Sequence, residues 1–232
     1  MNLTHKITVL VAEDHDIVRE GLEALLETEG DFEVVAQAKT GREAVAMTRE
    51  FHPQVILMDI DMPGLNGVEA TRQIVLGDPK ARILILSSHA QTEYIENALA
   101  AGAIGFLDKQ ISAETLGKAI REIEEGRAYF SPSIEGRMRE DMNRRRTREG
   151  GVTTKGAKLT ARETEVLQLI AEGSLNKQVA GALGISIKTV EKHRQNMMDK
   201  LNIHGIAGLT HYAIAHGVVG NRVPDDCMRI SV

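Results

Sequence analysis

Five short apolar runs, rich in β-branched residues, punctuate the first half of the chain: Ile7 to Ala12, Val34 to Ala36, Val55 to Met58, Ile83 to Leu86 and Ile104 to Leu107. Each ends in polar residues or glycine. None alternates between apolar and polar positions as a half-solvated strand would, so they read as five strands buried on both faces. Between them, segments such as Ile17 to Leu26 and Gly41 to Glu50 carry apolar residues at helical spacing. Buried strands alternating with helices predict a doubly wound α/β domain, a five-stranded parallel sheet with helices on both faces.

From Ala128 the alternation stops. The stretch to Lys158 holds Pro132, four glycines and the run Arg144 to Arg146, and reads as a linker. Within it, Ser131 and Pro132 offer an N-cap and a first-turn proline for a charged helix over Ser133 to Arg146. After Lys158 only helical signals occur. Thr160 and Glu163 fit a capping box ahead of Val166, Leu167, Leu169 and Ile170. Asn176 to Leu183 has helical spacing, Gly184 supplies a turn, and Ser186 can cap a helix running to about Leu201. The expected division is 1–127 for the α/β domain, 128–157 for the linker, 158–218 for a small all-α helix-turn-helix domain, and 219–232 for a tail.

Charge sharpens this division. The net charge of −5 hides 22 acidic against 11 basic residues in 1–126, 4 against 8 in 127–157, and 7 against 9 in 158–232. An acidic front and a basic back suit a second half that meets a polyanion. With 3% aromatic residues and no Trp, a stacking platform for single strands is disfavoured. Apolar runs are too short for a membrane span, and Glu13 and Asp14 interrupt the N-terminus before a signal-peptide core could form, so a cytoplasmic location is expected. The single cysteine, Cys227, has no partner for a disulfide or a zinc site.

In parallel sheets of this kind, chemistry gathers beyond the carboxyl ends of the strands. There the chain offers Glu13 and Asp14 after the first strand, Asp59 after the third, Ser87 after the fourth and Lys109 after the fifth. Three clustered carboxylates repel unless a cation lies between them, and Mg²⁺, which takes oxygen ligands, retained waters and phosphoryl oxygens, fits that role. An aspartate can form an acyl phosphate. Asp59 is the candidate nucleophile, Lys109 the counter-charge to an added phosphoryl group, and Ser87 a hydroxyl donor to it. Solvated loop carboxylates are the competing account of the same residues.

Taken together, the acidic pair, DIDMPGLNG around Asp59, LILSS around Ser87 and GAIGFLDK ending at Lys109 resemble the receiver domain of two-component response regulators over about residues 6 to 126. The resemblance implies a flavodoxin-like fold and phosphorylation of Asp59 by a sensor histidine kinase. It also implies Mg²⁺ held by Asp14, Asp59 and the backbone carbonyl of Asp61 beside Glu13, and a switch pair of Ser87 and Phe106. Glu13 stands where the family more often has a second aspartate, and Phe106 where it often has tyrosine. Asp61 and His89 occupy positions from which side chains affect the access of water to an acyl phosphate. Asp-x-Asp after an apolar strand also resembles phosphatases of the haloacid dehalogenase type. In those, however, the acidic pair follows the Asp-x-Asp, whereas here it precedes it.

In the second half, Val190, Met197 and Leu201 share one helical face, while Lys188, Lys192, His193, Arg194, Gln195 and Asn196 supply donors on the others. Such a helix suits the major groove, although a solvated charged face has the same spacing. LTARETEVLQLIAEGSLNKQVAGALGISIKTVEKHRQNMMDKL resembles the four-helix output domain of the LuxR type. That resemblance implies Lys188, Thr189 and His193 near phosphates, Glu191, Lys192 and Gln195 facing bases of double-stranded DNA, and Lys177 supporting a backbone contact. Leu175 departs from the small polar residue common before Asn-Lys. A homodimer through the last helix, about Gly205 to Ala215, is implied as well. The expectation is a transcription regulator, not an enzyme, of the NarL/FixJ class, with a phosphate-independent regulator as the alternative.

Overall fold

The computed structural model describes residues 6–88, 91–147 and 159–220, with side chains of the middle stretch described as far as residue 140. His89, the side chains of Arg144 to Arg146, and Cys227 with the tail beyond Gly220 lie outside the described residues. The chain forms two units that part near Gly151.

The first unit runs β1 (Ile7–Ala12), α1 (Asp16–Glu29), β2 (Phe32–Ala38), α2 (Gly41–Phe51), β3 (Val55–Asp59), α3 (Gly67–Gly77), β4 (Ile83–Ser87), α4 (Thr92–Ala101), β5 (Gly105–Asp108), α5 (Ala113–Glu124), β6 (Tyr129–Phe130) and α6 (Pro132–Thr147). The strands form one sheet in the order β2-β1-β3-β4-β5-β6, every neighbouring pair parallel. Burial on both faces explains the unbroken apolar runs. Leu10, Ala12, Ile56, Met58, Ile83, Ile85 and Phe106 pack on one face with α2, α3 and α4. Val9, Val11, Val55, Leu57, Leu84, Leu86 and Leu107 pack on the other with Leu116, Ala119, Ile120 and Ile123 of α5.

The sheet departs from the sequence expectation in two places. It has six strands, not five: Tyr129 pairs with Gly105 and Phe130 with Phe106. Two residues are too few to carry a strand period, so periodicity misses them. β2 also runs longer than Val34 to Ala36. As the edge strand of the sheet it takes in Glu33 and Gln37, polar residues that end an apolar run without ending a strand. Beyond β6, Ser131 is buried and its backbone N–H donates to Phe106 O at 3.2 Å, while Ile134 in the first turn of α6 is fully buried.

The second unit is helical: α7 (Ala161–Ala171), α8 (Asn176–Leu183), α9 (Ile187–Leu201) and α10 (Ile206–Ala215). Its core is built from Val166, Leu167, Ile170, Val179, Leu183, Val190, Met197, Leu209 and Ala213. Thr160 and Glu163 form the capping box at the start of α7. Gly184 ends α8 with φ 62°, a left-handed conformation that favours glycine, and Ser186 Oγ accepts from Thr189 N to open α9. Among the described residues no helix is long and apolar enough to cross a membrane.

Candidate functional site

β1 lies between β2 and β3, so the winding direction reverses there and leaves a crevice beyond the carboxyl ends of β1 and β3. Register delivers the side chains. Ala12 pairs with Met58, Asp59 with Leu86, and Ser87 with Asp108, so Glu13, Asp59, Ser87 and Lys109 emerge from adjacent strand ends. Gly67, at the start of α3, lets the helix close over the β3 end, because a Cβ there would stand 1.9 Å from Asp59 O.

Lys109 ties the pocket together. Its Nζ lies 2.6 Å from Glu13 Oε2 and 3.0 Å from Asp59 Oδ1, and its backbone N–H donates to Ser87 O at 3.0 Å. Asp59 is 3% exposed. Its Oδ1 also accepts from Ile60 N at 2.8 Å, whereas Oδ2 is buried with no hydrogen-bond partner among the described residues. Burial pushes the Asp59 carboxyl up from 3.8 to about 6; the Lys109 ammonium pulls it back, and the Glu13 and Asp61 carboxylates push it further up. Burial works against the Lys109 charge, yet Asp59 and Glu13 outweigh it and hold that ammonium above its usual range. A buried carboxylate with one such oxygen beside a fixed cation has the chemistry to act as a nucleophile toward an electrophile that brings negative charge.

The remaining pocket residues take distinct positions. Asp14 is largely buried, and its Oδ1 lies 2.9 Å from His15 Nδ1. Glu13 is 1% exposed, with Oε1 on His15 and Oε2 on Lys109. Donor atoms of Glu13, Asp14 and His15 fall within 4.8 Å of one another. This oxygen-rich donor set, together with the unsatisfied Asp59 Oδ2, fits a divalent cation. Burial pushes the Tyr94 hydroxyl up to about 12, and the charge of Asp61, in the loop after β3, adds to that rise. Phe106 is fully buried in the cluster that also holds Tyr94, Ile95 and Ile134. His15 and Arg19 were not anticipated from the sequence. Arg19 is buried, donating to Glu13 O at 2.9 Å and Gln37 Oε1 at 3.1 Å while pairing with Asp16. Their only signal is position, directly after the acidic pair and one turn into α1.

On the second unit, Lys188, Glu191, Lys192 and Gln195 are exposed along one stripe of α9 at i, i+3, i+4 and i+7, and Lys177 is exposed on α8. Thr189 and His193 are half-buried beside them. Thr189 Oγ1 is 2.8 Å from Ser186 Oγ, and Gln195 Nε2 donates to Asp199 Oδ1 at 2.8 Å. Other cations of α9 are internal struts. Arg194 Nη1 donates to Asn176 Oδ1 at 2.6 Å, fixing α9 on α8, and Lys200 Nζ holds both Glu163 oxygens at 2.8 and 2.7 Å, fixing it on α7. The stripe is therefore presented by a helix whose orientation is set from two sides.

Comparison with known proteins agrees with both halves. Residues 9–121 match the model of the response regulator receiver domain, and 157–213 that of the bacterial regulatory proteins of the luxR family. The transcriptional regulatory protein DegU of Brevibacillus brevis is 36% identical, across 86% of this chain and 89% of DegU. The response regulator protein VraR of Staphylococcus aureus is 36% identical, across 92% of this chain and 99% of VraR. Among solved structures, a two-component response regulator of the LuxR family from Aurantimonas sp. SI85-9A1 is 37% identical with a TM-score of 0.58, covering 60% of this chain and 99% of that one. The chain thus belongs to the response regulators of two-component systems, in the NarL/FixJ class that joins a receiver to a LuxR-type DNA-binding domain.

Proposed function

We propose that this regulator is switched by phosphorylation of Asp59 by a sensor histidine kinase, and that the phosphorylated chain binds double-stranded DNA as a homodimer to control transcription. The carrying observation is Asp59 itself: 3% exposed, with Oδ1 engaged by Lys109 and Ile60 and Oδ2 unpartnered among the described residues. Oδ2 forms the bond to phosphorus as the donor's bond to phosphorus breaks. Lys109 then turns toward the new charge, and Ser87 donates its hydroxyl to a phosphoryl oxygen.

Asp14, Asp59 and the backbone carbonyl of Asp61 would hold Mg²⁺, with Glu13 beside them. When bound, that ion offsets the charge of the carboxylates and of the incoming phosphoryl group. The switch is Ser87 with Phe106. Phe106 pairs with Phe130 of β6, and its carbonyl accepts from Ser131 at the foot of α6, so a shift of Phe106 reaches the segment that leads to the second unit. On DNA, Lys188, Thr189 and His193 meet phosphates, with Lys177 supporting. Lys192, Gln195 and Glu191 face base edges, the carboxylate accepting from a cytosine amino group. The domains are assigned as 1–127, receiver; 128–157, linker; 158–218, DNA-binding; and 219–232, tail.

The test is native mass spectrometry with acetyl phosphate and Mg²⁺ on wild type and Asp59→Asn. One added phosphoryl mass on the wild type, dependent on Mg²⁺, absent from the variant and accompanied by more dimer, is the expected result. An equal adduct on Asp59→Asn, or none on the wild type, removes Asp59 as the acceptor.

A further inference from the structure

Of the large apolar residues of α9, Val190 and Met197 are fully buried in the core of the second unit, and Met198 and Leu201 pack against it. Ile187 stands outside that core, 44% exposed. Helix formation does not ask for it. Isoleucine is stiff at its β-carbon and a mediocre helix former, and Ser186 already caps α9 by accepting from Thr189 N at 3.1 Å. Nor is Ile187 the apolar clasp at the helix start. That clasp joins the residue before the cap to the fourth residue after it, here Ile185 and Val190, both of which pack in the core.

Its place on the helix suggests another task. Ile187 stands one turn before Glu191 and two before Gln195, at i, i+4 and i+8, so the three share one line along the exposed side of α9. That line carries no cation, and the Glu191 carboxylate repels phosphates. Lys188 and Lys192, exposed beside it, bring a polyanion to this side of the helix, which leaves the cation-free line over base edges and not over the backbone. Ile187 is also the first residue of α9, and in helix-turn-helix docking the N-terminal part of the second helix is the part that reaches base edges. In the major groove the apolar group on offer is the 5-methyl of thymine.

We propose that Ile187 is a specificity-determining residue, reading the 5-methyl group of a thymine next to the base pair that Glu191 faces. The contact takes apolar surface of both partners out of water and needs no hydrogen bond, so it favours thymine over bases that present only polar edges there. Glu191 gains as well, because an apolar neighbour that excludes water strengthens the hydrogen bond its carboxylate accepts from a cytosine amino group. This inference rests on the DNA reading of the proposed function, so its test separates the two.

The full chain, with acetyl phosphate and Mg²⁺ present, is used to select its preferred duplex from a random pool. Each thymine of that duplex is then replaced in turn by deoxyuridine, which lacks only the methyl group, and binding is measured for wild type, Ile187→Ala and Ile187→Val. Alanine is the stronger helix former, so α9 keeps its start. A uridine at one position of a half-site is expected to weaken the wild type about fourfold, the worth of one buried methylene-sized group, and to change Ile187→Ala by less than about 1.5-fold. Ile187→Val, which keeps a branched apolar side chain, should respond nearly as the wild type does. The slope of log affinity against log salt should be the same for all three, since no phosphate contact is touched. If every uridine affects wild type and Ile187→Ala alike while Lys192→Ala still relaxes discrimination, Ile187 reads no methyl group and α9 stays the reading helix. If the wild type selects no sequence, or Lys188→Ala and Lys192→Ala bind as it does, both readings fall.

Discussion

Replacing Asp59 by asparagine should stabilise the receiver, and the gain should appear only as the pH rises. The carboxyl titrates near 3.8 when unperturbed and at about 6 in the fold, chiefly because it is buried. Its folded value is raised, so below about pH 4 the group is protonated in both states and contributes no difference. Between about 4 and 6 the unfolded chain ionises freely while the folded chain holds its proton, and stability falls as pH rises. Above about 6 the penalty has reached its full size, about 3 kcal/mol at 1.36 kcal/mol per pH unit. The attraction of Lys109 is already contained in that value. Asparagine keeps the shape without the charge, so the variant should gain up to about 3 kcal/mol at pH 7.5, about 1 kcal/mol near pH 4.5 and almost nothing below about pH 3.5. For a unit of this size the gain raises the midpoint of unfolding by roughly 6 to 12 °C. Scanning calorimetry of both proteins across that pH range, following the receiver transition without divalent ions, measures it. A stabilisation independent of pH, or largest at low pH, would refute the argument. Added Mg²⁺ should narrow the gap by stabilising the wild type alone.

Gly67→Ala should be far more disruptive than a single methyl group suggests. The new Cβ meets Asp59 O at 1.9 Å and its carbonyl carbon at 2.8 Å, contacts that only backbone movement relieves. More than about 3 kcal/mol of stability should be lost, at the upper end of overpacking, as measured by urea unfolding, and acetyl phosphate labelling should fall with it. Glu163→Gln should destabilise the second unit by about 1–3 kcal/mol at neutral pH, since it leaves Lys200 without its carboxylate and weakens the capping box. Burial opposes ionisation of Glu163, but Lys200 and Thr160 prevail and hold it below 4.5, so the difference should vanish as pH falls through that depressed value. On DNA, Lys188→Ala should reduce the slope of log affinity against log salt by about 0.9 without altering sequence preference. Lys192→Ala should instead relax discrimination at one or two base pairs, as read by binding to single-base operator variants.

Much of this pocket was legible in the sequence because a parallel sheet converts order along the chain into proximity. Residues that follow successive strands must meet at one end of the sheet, so Glu13, Asp59, Ser87 and Lys109 could be assembled from strand runs alone. Distances and burial could not. The identity of residue 13 says nothing of its oxygens dividing between His15 and Lys109, and nothing in DIDMPG says that one Asp59 oxygen has no partner among the described residues. β6 escaped notice because two residues carry no period, yet Phe130 and the following Ser131 join Phe106 to α6.

Helix α9 separates the two kinds of information most clearly. Pattern alone treats Lys188, Lys192 and Arg194 as equal donors, but Val190 and Met197 mark the buried stripe, and Arg194 stands four residues after the first and three before the second. Lys200, three after Met197, flanks the same stripe. Both side chains are tied to neighbouring helices, Arg194 to Asn176 and Lys200, at the surface, to Glu163. Lys188 and Lys192 lie two residues to either side of Val190, well off that stripe, and stay exposed. Phase relative to the core therefore distinguishes a strut from a cation left free to meet a polyanion where residue type does not. Different cations of one helix thus take the two tasks, since a face can be offered to a polyanion in a fixed orientation when Arg194 and Lys200 tie the helix to its neighbours and leave Lys188 and Lys192 outside.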